Sequence, residues 1–247
     1  MSHAPTPPVA GAPAGAPSPE LPAQVVKFTF FQVEPAWRRR PATDKARDTE
    51  AFAATLEKFR DSLILNSYSC VGSRGDADLV LWSVGAQLED IQALHAALNK
   101  TELAGFLRVT HSFLSLTRRS QYIRGHEHPG GHGAEKRIVP GEGRYLVVYP
   151  FWKTAAWYQL SYEERREMMG EHFRIGHKYP GVKIHTTYAF GVDDPEFVLA
   201  FEFNDLEEFL RMVEELRGAK QRPYTLRDTP ILTAVKKPLR EALGMLG

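Results

Sequence analysis

The sequence predicts an α+β protein made of two tandem ferredoxin-like halves, each in the order βαββαβ, within one subunit of the dimeric α+β barrel type. Three observations lead there. The chain has 247 residues, enough for one large domain or two small ones. It repeats itself at a single offset. Apolar spacing also switches between a period of two and a period near 3.6 in the same order on both sides of that offset.

The offset is 118 residues. It carries Asp76-Ala-Asp-Leu-Val-Leu-Trp onto Asp194-Pro-Glu-Phe-Val-Leu-Ala, and Val26-Lys-Phe-Thr-Phe-Phe31 onto Arg144-Tyr-Leu-Val-Val-Tyr149. The helical pattern Leu88, Ile91, Leu94, Leu98 falls on Leu206, Phe209, Met212, Leu216, and Thr43-Asp-Lys falls on Ser161-Tyr-Glu. One offset serving four segments without a gap marks a duplicated unit.

Taken in order, the second unit reads as strand 144–152, helix 161–177, strands 182–191 and 196–203, helix 205–217 and strand 224–235. Ser161-x-x-Glu164 is a capping box opening the first of these helices. The order βαββαβ is the split βαβ arrangement, an antiparallel sheet with helices on one face. The halves are expected at 24–121 and 144–247. Between them, 122–143 is rich in turn residues and reads as a long linker loop. Ahead of them, 1–23 is almost all Ala, Pro, Gly and Ser, too poor in apolar surface to offset chain entropy, and reads as a disordered tail.

Composition narrows the function classes. Hydrophobic residues are 43% and charged residues 25%, as in a globular domain. A formal net charge of +1 shows no basic excess, so a nucleic-acid partner is not expected. A single cysteine, Cys70, excludes an internal disulfide and a four-cysteine zinc site. No apolar run is long enough to span a membrane, and the start lacks the features of a signal peptide, so a cytoplasmic protein is expected.

A duplicated fold makes each half a control for the other. His172 sits on an apolar helical stripe with Met168, Ile175, Gly176 and Tyr179, and its counterpart in the first half is Ala54. Two readings fit: a hydrogen-bonded core histidine, or a metal ligand, haem iron included. Tyr149 and Lys153 lie four apart on one predicted strand, which puts both on the same face with Phe151 between them. Arg137 precedes that strand and Arg217 closes the last helix. Arginine and lysine around an apolar cavity suit a ligand with a greasy plane and carboxylate edges. Each also has a plainer reading: Arg217 complements a helix C-terminus, and Lys153 ends a strand at the surface.

Several blocks then resemble a known family. They are Tyr149-Pro-Phe-x-Lys153, Trp157-Tyr158, Glu163-Glu-Arg-Arg-x-Met-Met, Glu171-His172-x-x-Ile175-Gly176-x-x-Tyr179 and Phe190-Gly-x-Asp-Asp. Together they are similar to the chlorite dismutase-like haem proteins, most of all to the coproheme decarboxylases, the haem synthases of the coproporphyrin-dependent pathway. The resemblance implies tandem ferredoxin-like halves, porphyrin binding in the second half only, and a homopentamer. It implies His172 as the iron ligand, Tyr149 as a radical tyrosine, Lys153 as a propionate partner, and Arg137 and Arg217 as propionate holders. The implied chemistry is oxidative decarboxylation of iron coproporphyrin III to haem b by hydrogen peroxide.

The match departs in places. Oxygen-evolving dismutases carry an arginine on the distal strand, and here that strand reads Val182-Lys183-Ile184-His185. Either Ile184 or His185 faces the iron, and alternation allows only one of them. Neither is arginine, which argues against chlorite turnover. Where the dismutases pair the ligand histidine with a glutamate, the nearest residue here is Gln221. The distal base is open between His185, His132 of the linker and none, and His126, His128 and His132 form at most a weak surface metal site. Two other functions compete with haem synthesis: a dismutase-like or peroxidase-like protein holding haem b, and a non-catalytic haem carrier or sensor.

Overall fold

The computed structural model of the protein describes residues 22–122 and 137–247. Nearly all of the expected tail, and His126, His128 and His132 of the expected linker, lie outside the described residues.

Each half folds in the expected order. The first holds β1 (Val25–Val33), α2 (Ala42–Glu57), β2 (Ile64–Ser69), β3 (Leu79–Gly85), α3 (Leu88–Leu98) and β4 (Leu107–Leu116), with a short α1 (Pro35–Arg38) after β1. The second holds β5 (Tyr145–Lys153), a short α4 (Ala155–Gln159), α5 (Tyr162–Gly176), β6 (Lys183–Tyr188), β7 (Phe197–Phe203), α6 (Leu206–Arg217), β8 (Thr225–Arg227) and β9 (Leu232–Lys236). A last helix, α7 (Leu239–Gly244), follows. β3 and β7 stand 118 residues apart at both ends, so the repeat in sequence is a repeat in space.

The strands run β4–β1–β3–β2 in one half and β9–β5–β7–β6 in the other. β2 pairs with β9 and β4 with β6, which closes all eight into an antiparallel ring. The seams have few backbone pairs and are reinforced by side chains. At one, Ser115 Oγ meets Thr187 Oγ1 at 2.8 Å, and the Asp193 carboxylate accepts the Leu114 N–H at 2.6 Å. At the other, Ser67 Oγ donates to the Lys237 carbonyl at 2.8 Å. Strand alternation then sorts side chains into layers. Phe28, Phe30, Tyr68, Val80, Trp82, Leu146, Val148, Val198 and Leu232 fill the barrel interior. Outward-facing residues pack under α2, α3 and α7 in the first half, and under α6 in the second.

Three features differ from the expectation. The strand expected over 224–235 is two strands, β8 and β9, with Pro230, which has no N–H to donate, in the gap. The strand expected over 182–191 stops at Tyr188, ahead of a turn whose Gly191 takes φ 70°. The short helices α1, α4 and α7 were not expected, and α7 seals the first half's helix layer with Leu239, Ala242 and Leu243.

The interior also answers the question posed by Ile184 and His185. Ile184 packs outward with Tyr149, Tyr179 and Leu216 on the α5–α6 side. His185 points inward, with its Nε2 2.9 Å from Glu202 Oε2 and its ring edge against Trp82. The other Glu202 oxygen accepts from Tyr68 Oη at 3.1 Å and from the Gly141 N–H at 2.7 Å. His185 is therefore corrected from a cofactor-facing residue to one fully engaged inside the barrel, tying β6 and β7 to β2 of the other half. The donors around Glu202 outweigh its burial and hold its pKa below the ordinary 4.5.

A carboxyl with a lowered folded pKa contributes stability above its unfolded value, and that stability is lost as pH falls through the folded one. Glu202→Gln should cost about 1–3 kcal/mol at neutral pH by weakening buried hydrogen bonds. The gap to wild type should narrow below pH 4.5, where the wild-type carboxyl protonates. Urea unfolding of both proteins at neutral and acid pH checks this, and a pH-independent gap would contradict it.

Candidate functional site

The repeat shows where the second half gives up packing. In the first half, Phe52 and Leu56 of α2 are buried against the sheet. At the same offset α5 carries Gly170 and Arg174, and a Cβ built on Gly170 would meet nothing within 4 Å. Only Ile175 of α5 is fully buried, against four residues of α2. α5 is nonetheless well founded as a helix: Ser161 Oγ accepts the Glu164 N–H at 3.3 Å, and Glu164 accepts the Ser161 N–H at 2.8 Å. α5 therefore buries fewer side chains against the sheet than α2 does, and leaves space at Gly170.

His172 lies on this opened stretch of α5. It keeps some contact with solvent, yet burial and the nearby Lys153 charge push its pKa down to about 4, so at neutral pH the imidazole is uncharged. Its Nδ1 lies 3.4 Å from Gln221 Nε2, and Gln221 Oε1 accepts from Lys153 Nζ at 2.7 Å. Lys153 closes β5 and is 8% exposed, with its ammonium 4.2 Å from the Trp157 ring centroid and 5.4 Å from that of Phe151. Its backbone N–H is held by Glu196, which also takes the Tyr158 hydroxyl at 2.7 Å. Burial lowers the Lys153 pKa to about 8; Glu196 opposes that shift and Arg222 adds to it.

Tyr149 lies four residues before Lys153 on β5, its ring stacked on Phe201 at 5.3 Å, in the same cluster as Ile184. Burial and the Asp228 charge raise the phenol pKa, against the pull of Arg217 and Arg222, so the hydroxyl keeps its proton at neutral pH. Arg217 and Arg222 share one carboxylate oxygen, Asp228 Oδ2, with Arg222 Nη1 at 2.9 Å. Two guanidiniums on one carboxylate leave an excess positive charge, and each has N–H donors beyond the nitrogen that meets Asp228.

The structure thus gathers His172, Lys153, Tyr149, Arg217 and Ile184 around the α5–α6 side of the second half's sheet. It does not gather His185, which is inside the barrel, or Arg137, which is exposed and unpaired among the described residues. Arg222 and Asp228 escaped the sequence reading because neither lies on a periodic stripe: one sits in a 3₁₀ turn (Arg222–Tyr224), the other in the gap between β8 and β9. The nearest signal was a second arginine five residues after Arg217.

The donor set fits an iron porphyrin. Among the described residues no three His, Cys, Asp or Glu side chains gather to hold a bare metal ion. His172 is a lone neutral imidazole, which suits an axial ligand to iron whose other positions are filled by a macrocycle. The open space at Gly170 and the apolar Ile184, Leu199 and Phe201 suit the plane, and Arg217, Arg222 and Lys153 suit carboxylates at its edge.

A lysine whose folded pKa lies below its unfolded one binds its proton more readily when unfolded, so stability rises with pH between the two values. Relative to Lys153→Met, the wild type should gain up to roughly 3 kcal/mol between pH 8 and pH 10.5. The Lys153 side-chain NMR signal should titrate near pH 8. A midpoint at the ordinary lysine value would refute the buried-ammonium geometry.

Comparisons with known proteins agree with this architecture. The chlorite dismutase family profile matches residues 45–237. A coproheme decarboxylase of Mycolicibacterium smegmatis is 28% identical over 222 residues, covering 89% of this chain and 92% of that protein. One from Staphylococcus carnosus is 30% identical over 207 residues, covering 76% and 81%. The structure of chlorite dismutase from Candidatus Nitrospira defluvii in complex with imidazole superposes with a TM-score of 0.83 at 25% identity, over 90% of this chain and 94% of that one. Among the described residues no helix is long and apolar enough to cross a membrane. With a family profile spanning most of its length and a fold shared over nine-tenths of it, the protein belongs to the chlorite dismutase family.

Proposed function

We propose that the protein converts iron coproporphyrin III to haem b by oxidative decarboxylation of two propionates, with hydrogen peroxide as oxidant. Each propionate side chain becomes a vinyl group and carbon dioxide, and each peroxide takes up the two electrons and two protons and leaves as two waters. The arrangement that carries this reading is a buried phenol, Tyr149, near Arg217 and Arg222, in the half where Gln221 links Lys153 to the His172 imidazole. A carrier needs the imidazole and the cations; it has no use for the phenol.

The bound iron porphyrin supplies the oxidising equivalents once peroxide has reacted with it. His172, uncharged at neutral pH, would hold the iron through a ring nitrogen. Arg217 and Arg222 turn donors to the substrate carboxylates, fixing which propionate lies against Tyr149. Tyr149 would pass an electron and its hydroxyl proton to the peroxide-derived oxidant, and the resulting phenoxyl would take a hydrogen atom from the propionate β-carbon, restoring the phenol. The carbon radical would then lose carbon dioxide, the carboxyl proton and one more electron, the last two taken up by the same oxidant, to leave the vinyl group. Lys153 donates to the carboxylate awaiting the second round. Phe201, stacked on Tyr149, keeps the ring against the sheet and excludes water from one of its faces.

Tyr149→Phe keeps the ring and its packing and removes only the hydroxyl. It should bind iron coproporphyrin III nearly as well as wild type and make essentially no haem b with peroxide, whereas Lys153→Ala should accumulate the three-propionate intermediate. Mass analysis of porphyrins during a peroxide titration decides both points; wild-type turnover by Tyr149→Phe would sink the radical role.

The dismutase reading is tested separately. Ile184 occupies the helix-facing position of β6 and offers no charge to retain a chlorine oxyanion. An oxygen electrode should therefore record no sustained oxygen release from chlorite, and sustained release would favour the dismutase reading instead.

A further inference from the structure

The polarity of the Gln221 amide runs against the ligand role of His172. Lysine carries donors only, so the atom that Gln221 turns to Lys153 at 2.7 Å has to be Oε1. The same amide then offers its NH₂ group to His172 Nδ1 at 3.4 Å. Nδ1 must accept there, which places the neutral ring's one proton on Nε2. Ligation through Nε2 needs that lone pair and moves the proton to Nδ1, where it meets the NH₂ of Gln221, donor against donor. Rotating the amide cures this contact by presenting Oε1 to Nδ1–H. It also presents NH₂ to the Lys153 ammonium, again donor against donor. Gln221 is 6% exposed, so water is poorly placed to relieve either mismatch.

We propose that Gln221 is a positioning residue with two amide orientations, and that it couples iron ligation by His172 to release of Lys153. In one orientation Gln221 holds Lys153 and sets the His172 proton on Nε2. In the other it accepts from His172 Nδ1–H and frees the Lys153 ammonium for a substrate carboxylate. The lysine is thus withheld until iron is bound. A glutamate at the same place would not behave so, because its two acceptor oxygens serve Nδ1–H and Lys153 together. The proposal rests on the reading of His172 as the iron ligand.

Coupling is reciprocal: if ligation expels Lys153, removing Lys153 must favour the proton on Nδ1. Ring ¹⁵N NMR of His172 in substrate-free protein should show the Nε2–H tautomer in wild type and a shift toward Nδ1–H in Lys153→Met. In a Gln221→Leu background, Lys153→Met should leave the tautomer unmoved. Two probes used without peroxide, the tetramethyl esters of iron coproporphyrin III and of metal-free coproporphyrin III, offer the freed lysine no carboxylate, and only the first demands ligation. Their affinity ratio should favour iron about tenfold more in Lys153→Met than in wild type, the worth of one charge-assisted hydrogen bond no longer broken, and this gain should vanish with Leu at 221. An unchanged tautomer, or the same gain without the amide, overturns the switch. His172→Ala separates the two ideas: if it leaves the iron preference intact the ligand reading itself fails, and if it abolishes that preference while Lys153→Met has no effect only the switch fails.

Discussion

Closure of eight strands into a ring is the constraint on which the other features rest. A four-stranded half presents two bare edges, each a row of unpaired backbone groups. The only edges within reach are those of the other half, and β2–β9 and β4–β6 join them. Once the ring is closed, one face of every strand belongs to a shared interior, packed tight with Phe28, Phe30, Trp82 and Tyr68 and crossed by the Glu202 hydrogen bonds. That interior has no room for a large planar ligand. A site is left with the outer faces, where each half covers its sheet with helices.

The two outer faces solve the same packing problem differently. Phe52 and Leu56 fill the space under α2, and burying such side chains is worth about 1.5–3 kcal/mol each. α5 forgoes both at Gly170 and Arg174, and its first-turn capping and the shared barrel must hold it in place instead. A ligand that fills this space restores what the side chains do not supply, because anything bound to the folded state alone stabilises it by mass action. The candidate site thus falls in the half whose long first helix buries fewer residues.

Much of this was legible in the sequence, for a definite reason. Long periodic segments and a repeat report on burial, which is what decides strands, helices and layers, so the order of elements and the asymmetry of His172 against Ala54 could be read directly. Short helices such as α1 and α4 are too brief to show a period, and the break between β8 and β9 depends on where one proline falls. Ile184 and His185 differ by one residue in register, and sequence spacing carries an uncertainty of that size, whereas a strand tolerates none. Arg222 and Asp228 belong to the site through tertiary placement alone.

The electrostatics of the site explain why its residues occur together. Arg217, Arg222 and Lys153 are countered at close range by Asp228 and Glu196, the first of which bridges both arginines. Positive charge beside His172 disfavours imidazolium, and burial acts in the same direction, so the ring is kept as a neutral donor of a lone pair. Burial holds the phenol of Tyr149 protonated even with cations nearby, and the Asp228 carboxylate reinforces that. An incoming substrate carboxylate has the same chemistry as Asp228 and meets the same guanidiniums, so the arginines are arranged for carboxylate before the substrate arrives. Under the proposed function the cations meet the edge of the ligand; burial keeps both the imidazole and the phenol uncharged, with the Lys153 charge assisting at His172 and Asp228 assisting at Tyr149.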